Sequence, residues 1–386
     1  MNQEFIPYGS QWIDEDDIDS VVEILKSDYL TTGPKVEEFE KKFAQYVDTE
    51  YAVAVANGTA ALHAACFAAD IGEGDEVITT PITFAASANC ILYQGGIPVF
   101  ADIDKKTYNL DPQSIETKIT DKTKAIIPVD YTGQPCQLDE IYKIANKYDL
   151  TVIEDAAHAL GAEYKDQKIG SLSDMSTFSF HPVKHITSGE GGMITTNSKE
   201  LYNKLIDFRT HGITKNDANY INESHGAWYY EQQSLGYNYR ITDIQSALGI
   251  EQLKKSDKFL QRRRKIAQKY NDAFKNLTGV KTPYQKSNVK SSWHIYVLQL
   301  ELDKLKYGRK KVFEKLCDEN LGVNVHYIPV YYHPYYQNLG YQNGECVNAE
   351  WLYERIITIP LYPKMSDEQV EKVIYRIKDV INNQLA

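Results

Sequence analysis

Between Tyr51 and Thr196 short apolar runs alternate with helical segments, and that alternation leaves few architectures open. Short apolar runs bounded by turn residues read as strands buried on both faces. Strands that take turns with helices read as a largely parallel sheet covered on both sides. The expected strands are Tyr51–Ala56, Glu76–Thr79, Pro98–Ala101, Ala125–Val129, Thr151–Glu154, Met175–Phe180 and Gly192–Thr196. Helices are expected at Thr59–Ala69, Ala85–Tyr93 and Leu138–Tyr148. Ahead of them lie two amphipathic helices, one capped by Asp14 with Ile18, Val21, Val22 and Leu25 on its apolar stripe, the other carrying Val36, Phe39, Phe43, Tyr46 and Val47. The breaker-rich turn from Asp28 to Pro34 separates the two.

After about Arg240 the pattern changes. A long charged helix through Gln261–Lys265 is followed by a strand at Trp293–Leu300, a helix at Lys310–Glu319, a strand at Val323–Tyr327 and a last helix from Ser366. A chain of 386 residues exceeds one small core, so the expectation is a large α/β domain over 1–250 and a smaller α+β domain over 251–386. Two loops stand out as functional excursions or mobile surface: Thr214–Tyr230 and the tyrosine-rich Tyr327–Tyr341.

Composition narrows the function. Apolar residues make up 42% and charged residues 25%, ordinary for a globular chain, and the net charge of -11 argues against non-specific nucleic-acid binding. The five cysteines are scattered with no C-x-x-C pair, which reads as free thiols in a reducing compartment. No basic segment with an apolar run opens the chain and no stretch is apolar enough to span a bilayer, so a cytoplasmic location is expected. His181 and His185 flank Lys184 but lack a third ligand nearby, so no metal site is expected.

Three segments carry chemistry. Lys184, just past an apolar strand in Ser179-Phe180-His181-Pro182-Val183-Lys184, leads into the turn Gly189-Glu190-Gly191-Gly192; a lysine desolvated in a cleft becomes a usable amine. Alone, it would read as a solvated loop lysine. Asp155 ends a buried strand in Thr151-Val152-Ile153-Glu154-Asp155-Ala156-Ala157-His158, at the sheet edge where α/β proteins bind ligands; alone, it would read as a helix cap. Asn57-Gly58-Thr59-Ala60 joins a strand to a helix whose first N–H groups can hold a phosphate. A lysine, a carboxylate and a phosphate turn on one sheet edge are what a pyridoxal phosphate needs.

Together these motifs, with the run from Ser179 to Gly192 the most specific, resemble the sugar-nucleotide aminotransferases of the DegT/DnrJ/EryC1/StrS family over nearly the whole chain. The resemblance implies fold type I of the pyridoxal-phosphate enzymes. It implies Lys184 as Schiff-base lysine and proton shuttle, Asp155 at the pyridinium nitrogen, His158 near the phenolic oxygen and Phe84 on the ring face. Gly58, Thr59 and Ser179 would hold the phosphate, and Asn238 would complete the site of a second subunit, making a homodimer with shared active sites. Tyr8, the turn Asp28-Tyr29-Leu30-Thr31 and the segment Val325-His326-Tyr327-Ile328 would meet the sugar nucleotide. Within the family the chain is most similar to transaminases of pseudaminic acid biosynthesis, which implies glutamate as donor and a UDP-linked 4-keto-6-deoxy-N-acetyl hexose as acceptor. A GDP- or dTDP-linked keto sugar is the alternative. A dehydratase of the same family would carry histidine in place of Lys184, and a non-catalytic regulatory protein on this fold is the rival from another class.

Overall fold

A computed structural model describes residues 4–385. Its main sheet has seven strands: β1 Tyr51–Val55, β2 Glu76–Thr79, β3 Ile97–Phe100, β4 Thr123–Ile127, β5 Thr151–Asp155, β6 Met175–Ser179 and β7 Gly192–Thr196, in the order β1-β7-β6-β5-β4-β2-β3. Among them only β7 runs against the rest; it pairs antiparallel with both β1 and β6. The C-terminal ends of β1, β5 and β6 therefore share one edge. The expected mostly parallel α/β sheet is present.

Helices cover both faces. Val152, Ile126 and Phe178 point to one side, onto α2 Pro34–Val47 and its neighbours, whereas Ile153, Ile127 and Ile194 point to the other, onto α3 Gly58–Ala68 and α4 Ala86–Tyr93; α1 Glu15–Leu25 packs on the long helix Asp243–Phe274. The period of two along β6 does specific work. Phe178 packs on Phe43 at 5.0 Å and Phe180 packs on Phe39 at 5.2 Å. This turns Ser179 to the opposite face, toward α3. Helix starts follow local chemistry: Asp14 and Asp17 form a capping box at α1, and Asn57 accepts from Ala60 N–H at α3.

The C-terminal part is built on an antiparallel sheet of Val280–Lys281, Tyr296–Leu300 and Ile356–Ile359, with helices Arg309–Asp318 and Asp367–Asn382 against it. The 32-residue helix Asp243–Phe274 bridges the cores: Ile250 and Leu253 pack in the first, Ile266, Ala267, Tyr270 and Phe274 in the second. No helix among the described residues is long and apolar enough to cross a membrane.

Two expectations need correction. Val323–Tyr327 is not a strand. Asn324 alone bridges to Thr358, exchanging both backbone bonds with it, after which the segment turns inward. The strand at that place is Ile356–Ile359, which the sequence pattern did not reveal. The tyrosine-rich stretch after Tyr327 is not a loose excursion either. It holds a helical turn at Val330–Tyr332 and a helix at Pro334–Asn338, and it buries Tyr331 and Tyr336 against Phe100. The Thr214–Tyr230 loop is closed at its base by pairing of Ile213–Thr214 with Glu231–Gln232. It is folded around the Glu231 carboxylate, which accepts from Ile221 N (2.6 Å), Asn222 N (2.7 Å) and Tyr229 Oη (2.9 Å).

Candidate active site

The shared edge of β1, β5 and β6 opens on a cavity of about 870 Å³. Lys184 reaches it from the tight connection between β6 and β7. Phe180 N–H bonds Gly191 O, Ser188 N–H bonds Phe180 O, and Lys184 N–H bonds His181 O, so the lysine sits on a closed turn. Burial brings its pKa down to about 8, with the negative charge of Asp155 acting the other way.

Asp155 closes β5 and lines the same cavity. Ser87 Oγ on α4 donates to its Oδ2 at 2.6 Å and Ala157 N–H donates to its Oδ1 at 3.1 Å. No helix follows it, so it caps none. Burial holds the carboxyl above its ordinary range although Ser87, Ala157 and Lys184 all pull it down. A further cation set against this carboxylate is therefore favoured.

The start of α3 forms the third wall. A Cβ on Gly58 would lie 2.9 Å from Ser179 Cβ, and one on Gly192 would lie 2.4 Å from Asn57 O. Only glycines let β6 and β7 come this close to the turn. The closeness brings Ser179 beside the start of α3, whose first N–H groups lack helical partners, and Gly58, Thr59 and Ser179 line the same cavity.

His158 follows Asp155 on the cavity wall. Its Nε2 meets Tyr327 Oη at 3.1 Å, its Nδ1 is buried without a partner, and Ser292 Oγ donates to its backbone carbonyl at 2.7 Å. Burial, then the charge of Lys184, pushes its pKa far down, so it is neutral. Burial pushes the Tyr327 hydroxyl far up. His326 is held by Thr358 Oγ1 at 2.9 Å and by Tyr131, whose hydroxyl donates to its carbonyl; burial brings its pKa down to about 4. Tyr8 lies with its ring 5.4 Å from that of His326. Phe84, 63% exposed, stands at the rim 6.4 Å from the Tyr327 ring.

Thus Lys184, Asp155, His158, Gly58, Thr59, Ser179, Phe84, Tyr8, Val325, His326 and Tyr327 all line one cavity. Asp28, Tyr29, Leu30, Thr31, Ile328 and Asn238 do not reach it. Thr31 pairs with Thr242, Leu30 O accepts from Asp243 N–H, and Asn238 pairs with Thr210; Leu30, Thr31 and Asn238 themselves are exposed. The sequence reading missed Ser87, Tyr93, Tyr239, Asn324 and His294, which also line the cavity. Ser87 was findable: it lies one helical turn beyond Phe84. Among the described residues no cluster of His, Cys, Asp or Glu could hold a metal.

The residues fit pyridoxal phosphate. The buried Asp155 carboxylate suits a protonated ring nitrogen, the glycine-built cradle at Gly58 and Ser179 suits a phosphate, and Lys184 lines the same cavity.

Comparison with known proteins agrees. The family model described as the DegT/DnrJ/EryC1/StrS aminotransferase family matches residues 11–378. The spore coat polysaccharide biosynthesis protein SpsC of Bacillus subtilis is 45% identical over 379 residues, covering 98% of this chain and 97% of its own. Two solved structures superpose closely. One is Helicobacter pylori PseC, an aminotransferase of pseudaminic acid biosynthesis, with 32% identity, TM-score 0.91 and coverage of 98% of this chain and 100% of that one. The other is the PLP form of a putative sugar aminotransferase from Streptococcus pneumoniae, with 33% identity, TM-score 0.92 and coverage of 99% and 100%. With its fold, cavity and near-full-length match, the chain belongs to the DegT/DnrJ/EryC1/StrS aminotransferase family and is a pyridoxal-phosphate-dependent enzyme.

Proposed function

We propose that the chain transfers the amino group of glutamate to the 4-keto carbon of a UDP-linked 4-keto-6-deoxy-N-acetyl hexose. The product would be UDP-4-amino-4,6-dideoxy-N-acetyl-β-L-altrosamine, for pseudaminic acid or a related surface glycan. The likeness to the Helicobacter pylori enzyme and to SpsC supports the choice of sugar. One observation carries the reaction: a lysine with its pKa near 8 shares one cavity with a buried carboxylate and a helix-start anion cradle.

Bound pyridoxal phosphate supplies an electron sink that acidifies the α C–H bond of an amino acid. The protein's own groups do the rest. Lys184, whose pKa near 8 leaves far more of it neutral near pH 7 than an ordinary lysine, offers an amine that can attack a carbonyl and can take up and return a proton at carbon. Asp155 holds the ring nitrogen protonated, and Ser87 holds Asp155 in place. Gly58, Thr59 and Ser179 hold the phosphate, with the α3 dipole behind them. His158, braced by Tyr327, and Phe84 at the rim would hold the cofactor's ring. Tyr8, Val325, His326 and Tyr327 at the mouth meet the sugar.

Asn238 and the turn Asp28–Thr31 act in a second subunit's site, in a homodimer. Both are exposed, and Thr31 pairs with Thr242, four residues beyond Asn238, which supports grouping them, as does the family resemblance. Mixing Lys184→Ala with Asn238→Ala subunits tests this. Activity above either parent after proven exchange is expected; no rescue overturns it.

The substrate test incubates the enzyme and glutamate with UDP-, GDP- and dTDP-linked keto sugars and identifies products by mass and NMR. Amination of the UDP sugar alone is the expected result. Turnover of only a GDP or dTDP sugar overturns the sugar assignment, and amination of none overturns the proposal.

A further inference from the structure

Residues 291–294 come from the C-terminal half of the chain, just ahead of the strand Tyr296–Leu300, and the amino-transfer reading gives them no task. They are nonetheless fastened to the cavity wall from several sides. Ser292 N–H bonds Gly133 O at 3.0 Å, Ser292 Oγ bonds His158 O at 2.7 Å, and His294 N–H bonds Thr132 O at 2.9 Å. Behind them Arg263, 1% exposed, donates from Nη1 to His294 O at 2.9 Å and to Leu361 O at 3.1 Å. Among the described residues no carboxylate acts on it, and burial alone draws its pKa down. A guanidinium buried against carbonyls alone is an uncommon arrangement, and here it fixes the backbone of His294.

That backbone delivers one ring to the site. His294 lines the cavity and lies 4.2 Å, centroid to centroid, from His158, with His185 5.3 Å away on its other side. Rotation of an imidazole about its last torsion is broad and two-fold, so rotamer preference does not decide which edge His158 presents. The Tyr327 hydroxyl is one restraint on that edge. A packed neighbouring ring is the second, and the two are of similar strength, each worth roughly a factor of up to ten in population.

We infer that His294 is a positioning residue for amino transfer: packed on the His158 ring, it keeps Nε2 of His158 on Tyr327 and so sets which edge of that imidazole faces the bound cofactor. This rests on the proposed place of His158 beside the cofactor. His294 acts on the reaction only through His158. Both rings are neutral, because burial and the positive charge of Lys184 act on each in the same direction, so contact between them carries no charge repulsion.

The test is a double-mutant cycle on the holoenzyme with His158→Asn, His294→Ala and the pair. His294→Phe, which keeps a flat ring, serves as the conservative variant and covers the case in which the alanine variant does not fold. Three quantities are read: the single-turnover rate with glutamate, the KM for glutamate, and the dissociation constant of pyridoxal phosphate from the stripped protein by fluorescence titration. We expect His294→Ala to slow the half-reaction about tenfold and to weaken cofactor binding severalfold with KM little changed. His294→Phe should restore most of both. In the His158→Asn background, His294→Ala should add nothing. Additive losses from the two positions, or an inert His294→Ala beside an impaired His158→Asn, overturn the inference and leave the reading of His158 standing. If His158→Asn itself changes neither rate nor cofactor affinity, that reading fails and the inference falls with it.

Discussion

Glu154 and Asp155 are neighbours on β5, both buried and both pushed above the ordinary carboxylate range by burial, yet they serve opposite faces of the sheet. Asp155 faces the cavity, with Ser87 as donor and Lys184 as the one charge that draws it back down. Glu154 points the other way. Its Oε2 accepts from Ser176 Oγ at 2.8 Å and Ser173 Oγ at 3.2 Å, and its Oε1 has no donor. Opposite stands Asp130, whose Oδ1 accepts from Cys136 N at 2.8 Å and whose Oδ2 also lacks a donor. Two buried carboxyls that meet without a cation share a proton. A perturbed carboxyl is thus not in itself a mark of catalysis. What separates the two faces is a cation and an open cavity on one side, against a closed core on the other.

The largest effect should come from erasing that difference. Lys184→Ala removes both the amine and the cation, so turnover should fall by about 10³ or more. The fold should persist, because Lys184 sits on a turn held by backbone bonds. Measured turnover near wild type would mean that some other amine serves the cavity.

Asp155→Asn and Glu154→Gln then compare the faces directly. Each removes one carboxylate charge from the same strand. On the cavity side the single-turnover rate with glutamate should drop about 10² to 10³-fold, the scale of losing one preorganised electrostatic contact. On the core side it should change less than about fivefold, with the effect confined to stability. Similar rates for both variants would erase the distinction.

Much of this contrast was legible in the sequence, and the reasons are specific. Lys184, Asp155, Ser179 and Gly58 each end a strand or follow one, so locating the strands by their apolar runs also located the shared edge. Placing Asn324 and His294 on the cavity needed contacts between segments far apart in sequence. In Val323–Tyr327 the alternation of apolar and polar residues mimics a strand, but only Asn324 finds a backbone partner. Alternation records which side chains are buried, not whether the main chain pairs. Ile356–Ile359 lies outside the strand–helix alternation of residues 51–196 that marked equally short runs as strands. Asp28–Thr31 and Asn238 carry no local mark separating a surface turn from a working one.

A smaller effect isolates the Lys184 cation in the cofactor-stripped protein. The folded-state pKa is near 8, below the usual 10.5. Between those values the folded chain has given up a proton that the unfolded chain keeps, so wild-type stability should rise with pH across this window. Lys184→Met lacks that titration. It should be more stable than wild type below pH 8, by about 3 kcal/mol, and the gap should close toward pH 10.5. Denaturant midpoints at several pH values check it, and a gap independent of pH would mean that the lysine is solvated.

The smallest effect belongs to the closed face, and its sign is opposite. Asp130 is held well above the ordinary carboxylate range by burial and then by the charge of Glu154, so the folded protein keeps a proton that the unfolded chain loses as pH rises. The stability that goes with this proton is fully present below the unfolded carboxylate range and is lost as pH climbs above it. Asp130→Asn replaces the shared proton by an amide. Its oxygen can still accept from Cys136 N–H, and its NH₂ can donate to the vacant Glu154 Oε1. The variant should therefore match wild type in acid and exceed it by about 0.5 to 1.5 kcal/mol at neutral pH, the worth of one buried hydrogen bond without a titration. Turnover should stay within about twofold, since the amide lies across the sheet from Lys184. Chemical denaturation at acidic and neutral pH, with activity measured alongside, gives both readings. A loss of stability at neutral pH would show that Asp130 and Glu154 are held apart as two anions. A loss of activity without a loss of stability would show that the proton on the closed face reaches the cavity through β5, and that the two faces are one electrostatic unit.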